Sequence, residues 1–386
     1  MDIKKLGEIC DVVSGGTPSR TNTAFWDGGI IPWIKIGNIK GKYVSEADEY
    51  ITQAGLEGSS AKILSKGTVL YTIFATLGEA GILTIDACTN QAIAGITIKN
   101  QDEVLADYLY YYLKSKKSYI NNLGRGVAQN NINLSILRNL EIPLPALPVQ
   151  RQTVDILDKT AKVIEYRRQQ LQNLDDLVKA RFVEMFGDPE NNSFDWKEQP
   201  LSKHLDVVGG FAFKSDQFVE EGIPVLRIGN INAGYFKPVN MVFWDNDDNL
   251  KKYKLFPGDL VMSLTGTVGK DDYGNVCILG NDYDEYYLNQ RNAKLELKDS
   301  INKYYISTLL KFESIKKKLT GISRGIRQAN ISNKDILNLV VPIPNITTQI
   351  EFEQFVQQID KSKFVVQQAL DKAQLLFDSL MQQYFG

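Results

Sequence analysis

Two stretches of this chain gather lysine, arginine and side-chain amides in a pattern suited to nucleic acid. Between Tyr108 and Leu140 stand Lys114, Lys116, Lys117, Arg125 and Arg138, with no acidic residue among them. Between Leu309 and Leu337 stand Lys311, Lys316, Lys317, Lys318, Arg324, Arg327 and Lys334, against only Glu313 and Asp335. Each stretch includes an amide-rich run, GRGVAQNN from Gly124 and SRGIRQAN from Ser323. Lysine and arginine neutralise phosphates, whereas arginine, glutamine and asparagine can make paired hydrogen bonds to base edges. The candidate contacts are therefore Lys114, Lys116, Lys117, Arg125, Gln129 and Asn130 in the first stretch, with Lys316, Lys317, Lys318, Arg324, Arg327 and Gln328 in the second. Solvated helix faces also carry lysines, and Asn/Gln loops are often plain turns. The recurrence at equivalent places favours a binding role. A third candidate is Gly15-Gly16-Thr17-Pro18-Ser19-Arg20, which can cradle a phosphate on backbone N–H groups or form an ordinary turn. Thr17, Ser19 and Arg20 join the candidate contacts, as does Lys214 in the matching GGFAFKS segment.

The residues for catalysis are missing. One histidine, His204, would have to supply every His-based zinc site or nucleophile pair, and its setting in PLSKHLDVV fits a surface or half-buried position better than a catalytic one. No GxxxxGK[ST] phosphate loop occurs, nor an NPP[YF]-like tetrapeptide, nor a glycine-rich cofactor turn. Asp188-Pro189 with Asp195-Trp196-Lys197 faintly echoes a nuclease carboxylate–lysine set, but GDPENNSFDWKEQP reads more simply as a polar linker. The net charge of −2 argues against coating nucleic acid by bulk charge and leaves local basic patches open. Cys10, Cys88 and Cys277 are isolated and odd in number, without a CxxC, which suits a reducing compartment. No apolar run reaches the ~18 residues of a membrane span, and the N-terminal stretch lacks a signal-peptide core. The expected location is the cytoplasm, with no membrane partner.

The elements that must position these residues come in duplicate. Val149–Gly187 has apolar residues at Val154, Leu157, Ala161, Ile164, Leu171, Leu174, Val178, Phe182 and Met185, the seam of a helix packing on a partner helix. At 1.5 Å per residue it would be roughly 55 Å long. Shifted by 199 residues, Pro143, Pro145, Gln150, Leu171, Leu177 and Phe186-Gly187 fall on Pro342, Pro344, Gln349, Leu370, Leu376 and Phe385-Gly386. Ahead of the helices the repeat continues. IPWIKIGNI (Ile31) returns as IPVLRIGNI (Ile223), and GTVLYTIFATLG (Gly67) returns as GDLVMSLTGTVG (Gly258). Short β-rich runs punctuated by glycine dominate each globular part, and one helix is expected around Val104–Ser118 and around Asn302–Leu319. The expected fold is α+β: a tandem duplication of two globular domains joined by two long helices in an antiparallel coiled coil with pseudo-two-fold symmetry. Parallel helices would require the linker Gly187–Pro200 to return roughly 55 Å, beyond the ~46–50 Å that its residues reach fully extended. The expected domains are 1–148, helix 149–187, 188–347 and helix 348–386.

These blocks resemble the specificity (S) subunit of type I restriction–modification systems over essentially the whole chain. The carrying motifs are VVSGGTPS…IPWIKIGNI, GGFAFKS…GIPVLRIGNI, the closing RG…Q…L…IPLPALPVQ, and MFGDP after the helix. The second repeat departs with Asn345-Ile346-Thr347-Thr348 where Ala146-Leu147-Pro148-Val149 stand in the first. The resemblance implies two target-recognition domains, each reading one half of a bipartite sequence in double-stranded DNA. It also implies a subunit without catalysis of its own, on which two methyltransferase (M) subunits dock and two restriction (R) subunits complete the complex. S-adenosylmethionine, ATP and magnesium would belong to those partners, and this chain would bind no cofactor or metal. A stand-alone methyltransferase or nuclease would need a cofactor motif that is missing. A DNA-independent scaffold would not need two matching basic, amide-rich stretches.

Overall fold

The computed structural model describes residues 2–124, 131–232, 234–267, 272–321 and 328–386. It divides into two units, one made of Met1–Arg168 with Gln368–Gly386, the other of Gln169–Gln367. Arg125, Gln129, Asn130, Arg324 and Arg327, together with the side chain of Gln328, lie outside the described residues.

The first unit contains β1 (Asp2–Lys5), α1 (Leu6–Ile9), β2 (Cys10–Ser14), β3 (Ile31–Ile34), β4 (Tyr43–Val44), β5 (Glu49–Ile51), α2 (Gln53–Glu57), β6 (Val69–Thr72), β7 (Ala80–Leu83), β8 (Cys88–Thr89) and β9 (Ile93–Ile98). After these come α3 (Ala106–Ser115), α4 (Lys117–Gly124), α5 (Leu134–Arg138), β10 (Glu141–Leu144) and the long helix α6 (Leu147–Phe186). A five-stranded sheet runs β2-β9-β6-β7-β4, and a three-stranded sheet runs β5-β3-β8. The pairings are antiparallel except β4–β7 and β3–β8. Strands β6 and β7 are buried at every position, which explains their continuous apolar runs in place of alternation. The tyrosine-rich α3 lies across β6 and β7, with Tyr108, Leu109, Tyr112 and Leu113 in the core beneath.

The second unit repeats the plan. It contains β11 (Glu198–Pro200), β12 (Leu205–Gly209), β13 (Ile223–Leu226), β14 (Phe243–Trp244), β15 (Lys254–Leu255), β16 (Leu260–Ser263), β17 (Thr265–Thr267), β18 (Val276–Ile278), β19 (Tyr286–Leu288) and β20 (Asn292–Leu297). Then follow α7 (Lys303–Leu309), α8 (Glu313–Thr320), β21 (Gln328–Asn330), α9 (Asn333–Asn338), β22 (Val340–Pro342) and α10 (Ile346–Phe385). The sheet β12-β20-β16-β18 matches β2-β9-β6-β7, without a fifth strand among the described residues. The sheet β14-β13-β19-β15 matches the smaller sheet, and β11–β22 matches β1–β10. The single helix expected before each amide-rich run is two helices in both units, broken at Lys116 and at Leu310–Phe312.

Both units clamp their long helix with the same side chains. Gln150 is fully buried; its amide donates to the carbonyls of Glu103 and Pro145, each at 2.8 Å, and accepts from the Leu105 N–H at 3.0 Å. Gln349, also fully buried, donates to the Pro344 carbonyl at 2.8 Å and accepts from the Asn302 N–H at 2.8 Å. The Tyr108 hydroxyl donates to the Pro143 carbonyl at 2.9 Å, and the Tyr305 hydroxyl to the Pro342 carbonyl at 2.7 Å.

In the second unit the segments of α6 and α10 run antiparallel. Lys363 pairs with Asp175 at 2.5 Å, Arg181 lies over the Phe355 ring at 5.8 Å, and Phe186 meets Phe352 at 5.4 Å. Position rises along one helix as it falls along the other. In the first unit Val154 and Leu157 share a core with Phe377, Leu380 and Phe385. The segment after α6 folds tightly, because Gly187 takes φ +81° and the Trp196 indole N–H donates to the Phe186 carbonyl at 2.9 Å. Asp188 there accepts from the Glu190 N–H at 2.9 Å, a local turn bond. His204 is buried, not at the surface. Its Nδ1 lies 2.7 Å from the Ser300 hydroxyl, and burial holds its pKa low.

Candidate nucleic-acid interface

The glycine pair after β2 is a sheet feature. The Gly15 N–H donates to Ile93 at 3.1 Å and the Gly16 N–H to Thr89 at 2.9 Å, so neither is free to hold a phosphate. A Cβ at Gly15 would collide with the Thr89 carbonyl, and one at Gly210 with the Asn289 carbonyl, which accounts for glycine at both places. The Gly15–Arg20 segment is therefore a turn, and what it offers is side chains. Thr17 bonds Gln91, Ser19 lies 2.9 Å from the Thr21 hydroxyl, and the Trp26 indole donates to the Ser19 carbonyl at 3.1 Å. The Arg20 guanidinium lies 3.7 Å above the Trp26 ring and 4.9 Å from that of Trp33, and it pairs with Glu49 at 2.5 Å. Lys35 reaches the same carboxylate at 2.5 Å. Its hydrogen bond from Lys35, aided by Arg20 against the opposing effect of burial, holds Glu49 below the usual carboxylate range. Stacking fixes the guanidinium plane while its side chain stays 51% exposed. Such a group is pre-organised for a flat, anionic or hydrogen-bonding surface.

The lysines of α3 and α4 are less free than their spacing suggests. Lys114 lies 5.5 Å from the Tyr110 ring, and burial lowers its pKa. Lys116 donates to the Phe385 carbonyl at 2.7 Å, where it caps the last turn of α10. Lys117 pairs with Glu79. All three thus have structural partners within the first unit. Nearby, Lys42 bridges Asp107 at 2.7 Å and Asp158 at 2.5 Å, and the Tyr111 hydroxyl donates to Asp158 at 2.5 Å. This network ties α3 to α6.

In the second unit Lys316 donates to the Asn275 side chain at 2.8 Å and Lys317 pairs with Glu313 at 2.6 Å, one turn back along α8. Lys318 is exposed, as is Lys214, which begins the short turn Ser215–Gln217. Beside Lys214 lies a cluster of Phe211, Phe213, Trp244, Tyr253 and Tyr287, where the Lys252 ammonium lies 4.8 Å from the Tyr253 ring and that of Lys254 5.9 Å from the Tyr287 ring.

The structure also brings together segments that the sequence treated separately. Strand β17 pairs with β21, Thr265 opposite Asn330 and Thr267 opposite Gln328. In the first unit Phe74 bridges Asn131 at the matching place. The loop after β6 or β16 therefore abuts the end of each amide-rich run. It adds half-exposed Phe74 and exposed Thr267, whose N–H and hydroxyl are held by Asp272 at 2.8 and 3.0 Å. The recurrence of GTVLYTIFATLG as GDLVMSLTGTVG was the available signal. Among the described residues no group of three or more His, Cys, Asp or Glu is placed to hold a metal ion.

A family model described as the type I restriction modification DNA specificity domain matches residues 1–175 and again 194–372. The chain belongs to that family. Within it, the specificity subunit of the type I restriction enzyme MjaVIII from Methanocaldococcus jannaschii is 28% identical over 74% of this chain and 68% of its own length. The EcoKI specificity subunit of Escherichia coli K12 is 22% identical over 92% of this chain and 82% of its own. Among solved structures, the type I S subunit of M. genitalium aligns over 100% of this chain and 96% of its own, with a TM-score of 0.57 at 16% identity, a likeness of fold. No described helix of this specificity-family chain is long and apolar enough to cross a membrane.

Proposed function

We propose that this type I specificity subunit is the non-catalytic reader of a bipartite target in double-stranded DNA, each unit contacting one half-site. In this reading α6 and α10 set the spacing between half-sites and carry two methyltransferase subunits, and two restriction subunits complete the complex. S-adenosylmethionine, ATP and magnesium act in those partners, with none bound here. The observation that carries the reading is the duplication of one joint, Gln150 with Tyr108 and Gln349 with Tyr305, each joining a sheet domain that holds a basic, amide-rich segment to a long helix. Arg20, Ser19 and Thr17 are the contacts proposed for the first unit beside Arg125, Gln129 and Asn130, with Lys114, Lys116 and Lys117 at the border of that surface. Lys214, Lys316, Lys317, Lys318, Arg324, Arg327 and Gln328 serve the second.

The test is DNA binding by the assembled complex. Replacing Lys316, Lys317 and Lys318 with Ala should weaken binding and flatten its salt dependence by roughly 0.9 of a log–log slope for each phosphate no longer neutralised. Exchanging Arg327 or Gln328 should change base preference in one half-site only. An unchanged affinity and salt slope in the triple variant would refute the assignment of α8 to the DNA surface. S-adenosylmethionine-dependent methylation by the chain alone would refute the non-catalytic role.

A further inference from the structure

Between the Lys214 segment and the amide-rich run of the second unit lies a turn that neither of them supplies. On one side the Phe211 carbonyl accepts the Gln290 N–H at 2.8 Å, and the Phe211 N–H donates to the Leu288 carbonyl at 2.8 Å. Lys214 stands only three residues further along. On the other side the Leu264 N–H donates to the Arg291 carbonyl at 2.8 Å. The Leu264 carbonyl in turn accepts the N–H of Ile331, just past β21, at 2.8 Å. The turn closes on itself as well: the Asn289 side chain accepts the Arg291 N–H at 3.2 Å, and the Asn289 carbonyl accepts the Asn292 N–H at 2.9 Å.

The first unit builds the same turn from Asn90, Gln91 and Ala92. The Asn90 side chain accepts the Ala92 N–H at 3.1 Å, and the Asn90 carbonyl accepts the Ile93 N–H at 3.2 Å. The Ile73 N–H donates to the Ala92 carbonyl at 2.8 Å, and the Ile73 carbonyl accepts the Ile132 N–H at 3.0 Å. Gln91 and Gln290 are exposed in both copies. The next residue is where the copies part. Ala92 is buried, whereas Arg291 is exposed, and its guanidinium makes no hydrogen bond, ion pair or ring contact among the described residues.

Neutralising a phosphate asks for charge and little else, and a loosely held lysine does it. Arg291 instead leaves a backbone pinned on both sides, so the direction of its Cα–Cβ bond is fixed. A fixed direction suits the planar, two-pronged donor set of arginine, which matches the O6 and N7 acceptors of guanine in the major groove. Two units that share a scaffold but read unlike half-sites must also differ in the side chains they present, and this turn is such a place.

We infer that Arg291 reads a guanine in the half-site of the second unit. The inference rests on the proposed function, in which each unit contacts one half of a bipartite target.

The test uses the complex assembled with its methyltransferase subunits, whose target is first read by methylation-sensitive sequencing. Binding is then compared across duplexes that each alter one base pair of that target, for the wild type, Arg291→Ala and Arg291→Lys. The position is exposed, so neither change disturbs the core. The wild type should discriminate about tenfold or more against replacing one G·C pair in one half-site. Arg291→Ala should abolish that discrimination and leave every other position as it was. Arg291→Lys, which keeps the charge but lacks the planar fork, should lose most of it. Equal weakening on all duplexes, restored by lysine, would mark a phosphate contact and overturn the inference. Unchanged binding in both variants would mark a merely solvated side chain and overturn it too. In either case the bipartite reading stands. A wild-type complex without preference for a bipartite target would overturn that reading, and this inference with it.

Discussion

Replacing Gln150 with Leu tests how the recognition domain is fixed to its helix. Leucine keeps similar bulk but deletes three hydrogen bonds in a site with no solvent access, leaving the Glu103 and Pro145 carbonyls and the Leu105 N–H without their partner. Each orphaned group costs about 1 kcal/mol or more, so the loss should be about 3–4 kcal/mol. The equivalent change at Gln349 deletes two such bonds and should cost about 2–3 kcal/mol. Hydrogen–deuterium exchange resolves the two units in one experiment. Gln150→Leu should speed exchange in Ala106–Ser115 by about a hundredfold and leave Lys303–Leu309 near its wild-type rate, with the reverse pattern for Gln349→Leu. Less than a tenfold change in Ala106–Ser115, or an equal change in both helices, would show that the amide is not the anchor described here.

Four further outcomes are expected. Adding four residues to α6 between Gln169 and Gln172, about 6 Å of helix, should lengthen the unread gap by one or two base pairs and keep both half-site sequences, as read by methylation-sensitive sequencing. Acid should loosen the first unit through two carboxylates. Lys35 and Arg20 hold Glu49 low, and although burial alone would raise Asp107, hydrogen bonds from Lys42 and Tyr43 outweigh it and hold it low. Because both folded pKa values lie below the unfolded ones, their stabilisation is full above the ordinary carboxylate pKa of about 4 and is lost as pH falls through the folded values, visible by tryptophan fluorescence near Trp26 and Trp33. The buried thiols of Cys10 and Cys277, both pushed up to about 12 by burial, and of Cys88, pushed up to about 11, should resist iodoacetamide at pH 8 until the chain is unfolded. Phe182→Ala should cost about 3–5 kcal/mol of second-unit stability in denaturant titrations, since that ring packs on Phe186, Tyr305, Phe312 and Phe352.

The helices and the duplication were legible because they repeat in register. Val154, Leu157, Ile164, Val178 and Phe182 announce a packing seam by spacing alone, and all five are buried or half-buried. The partner surfaces were harder. Lys116 reads as a phosphate ligand until the Phe385 carbonyl, 269 residues away, is seen to accept its hydrogen bond. The Arg20–Trp26–Glu49 stack was only partly legible, since Arg20 stood out by its charge but Glu49 reaches it through the pairing of β5 with β3. Lys42 gave no sequence signal at all. A lone lysine in a turn acquires its role from Asp107 and Asp158, which long-range packing delivers.

The two glutamines carry a consequence for how such a chain can change. Their amides bond the main-chain groups of Glu103, Leu105, Pro145, Asn302 and Pro344, never those residues' side chains. A joint that grips only peptide groups is indifferent to what the neighbouring positions encode. Substitutions can accumulate across either sheet domain while its seating on the helix persists. Inheritance can therefore revise the part of the molecule that faces outward without renegotiating the part that holds it in place.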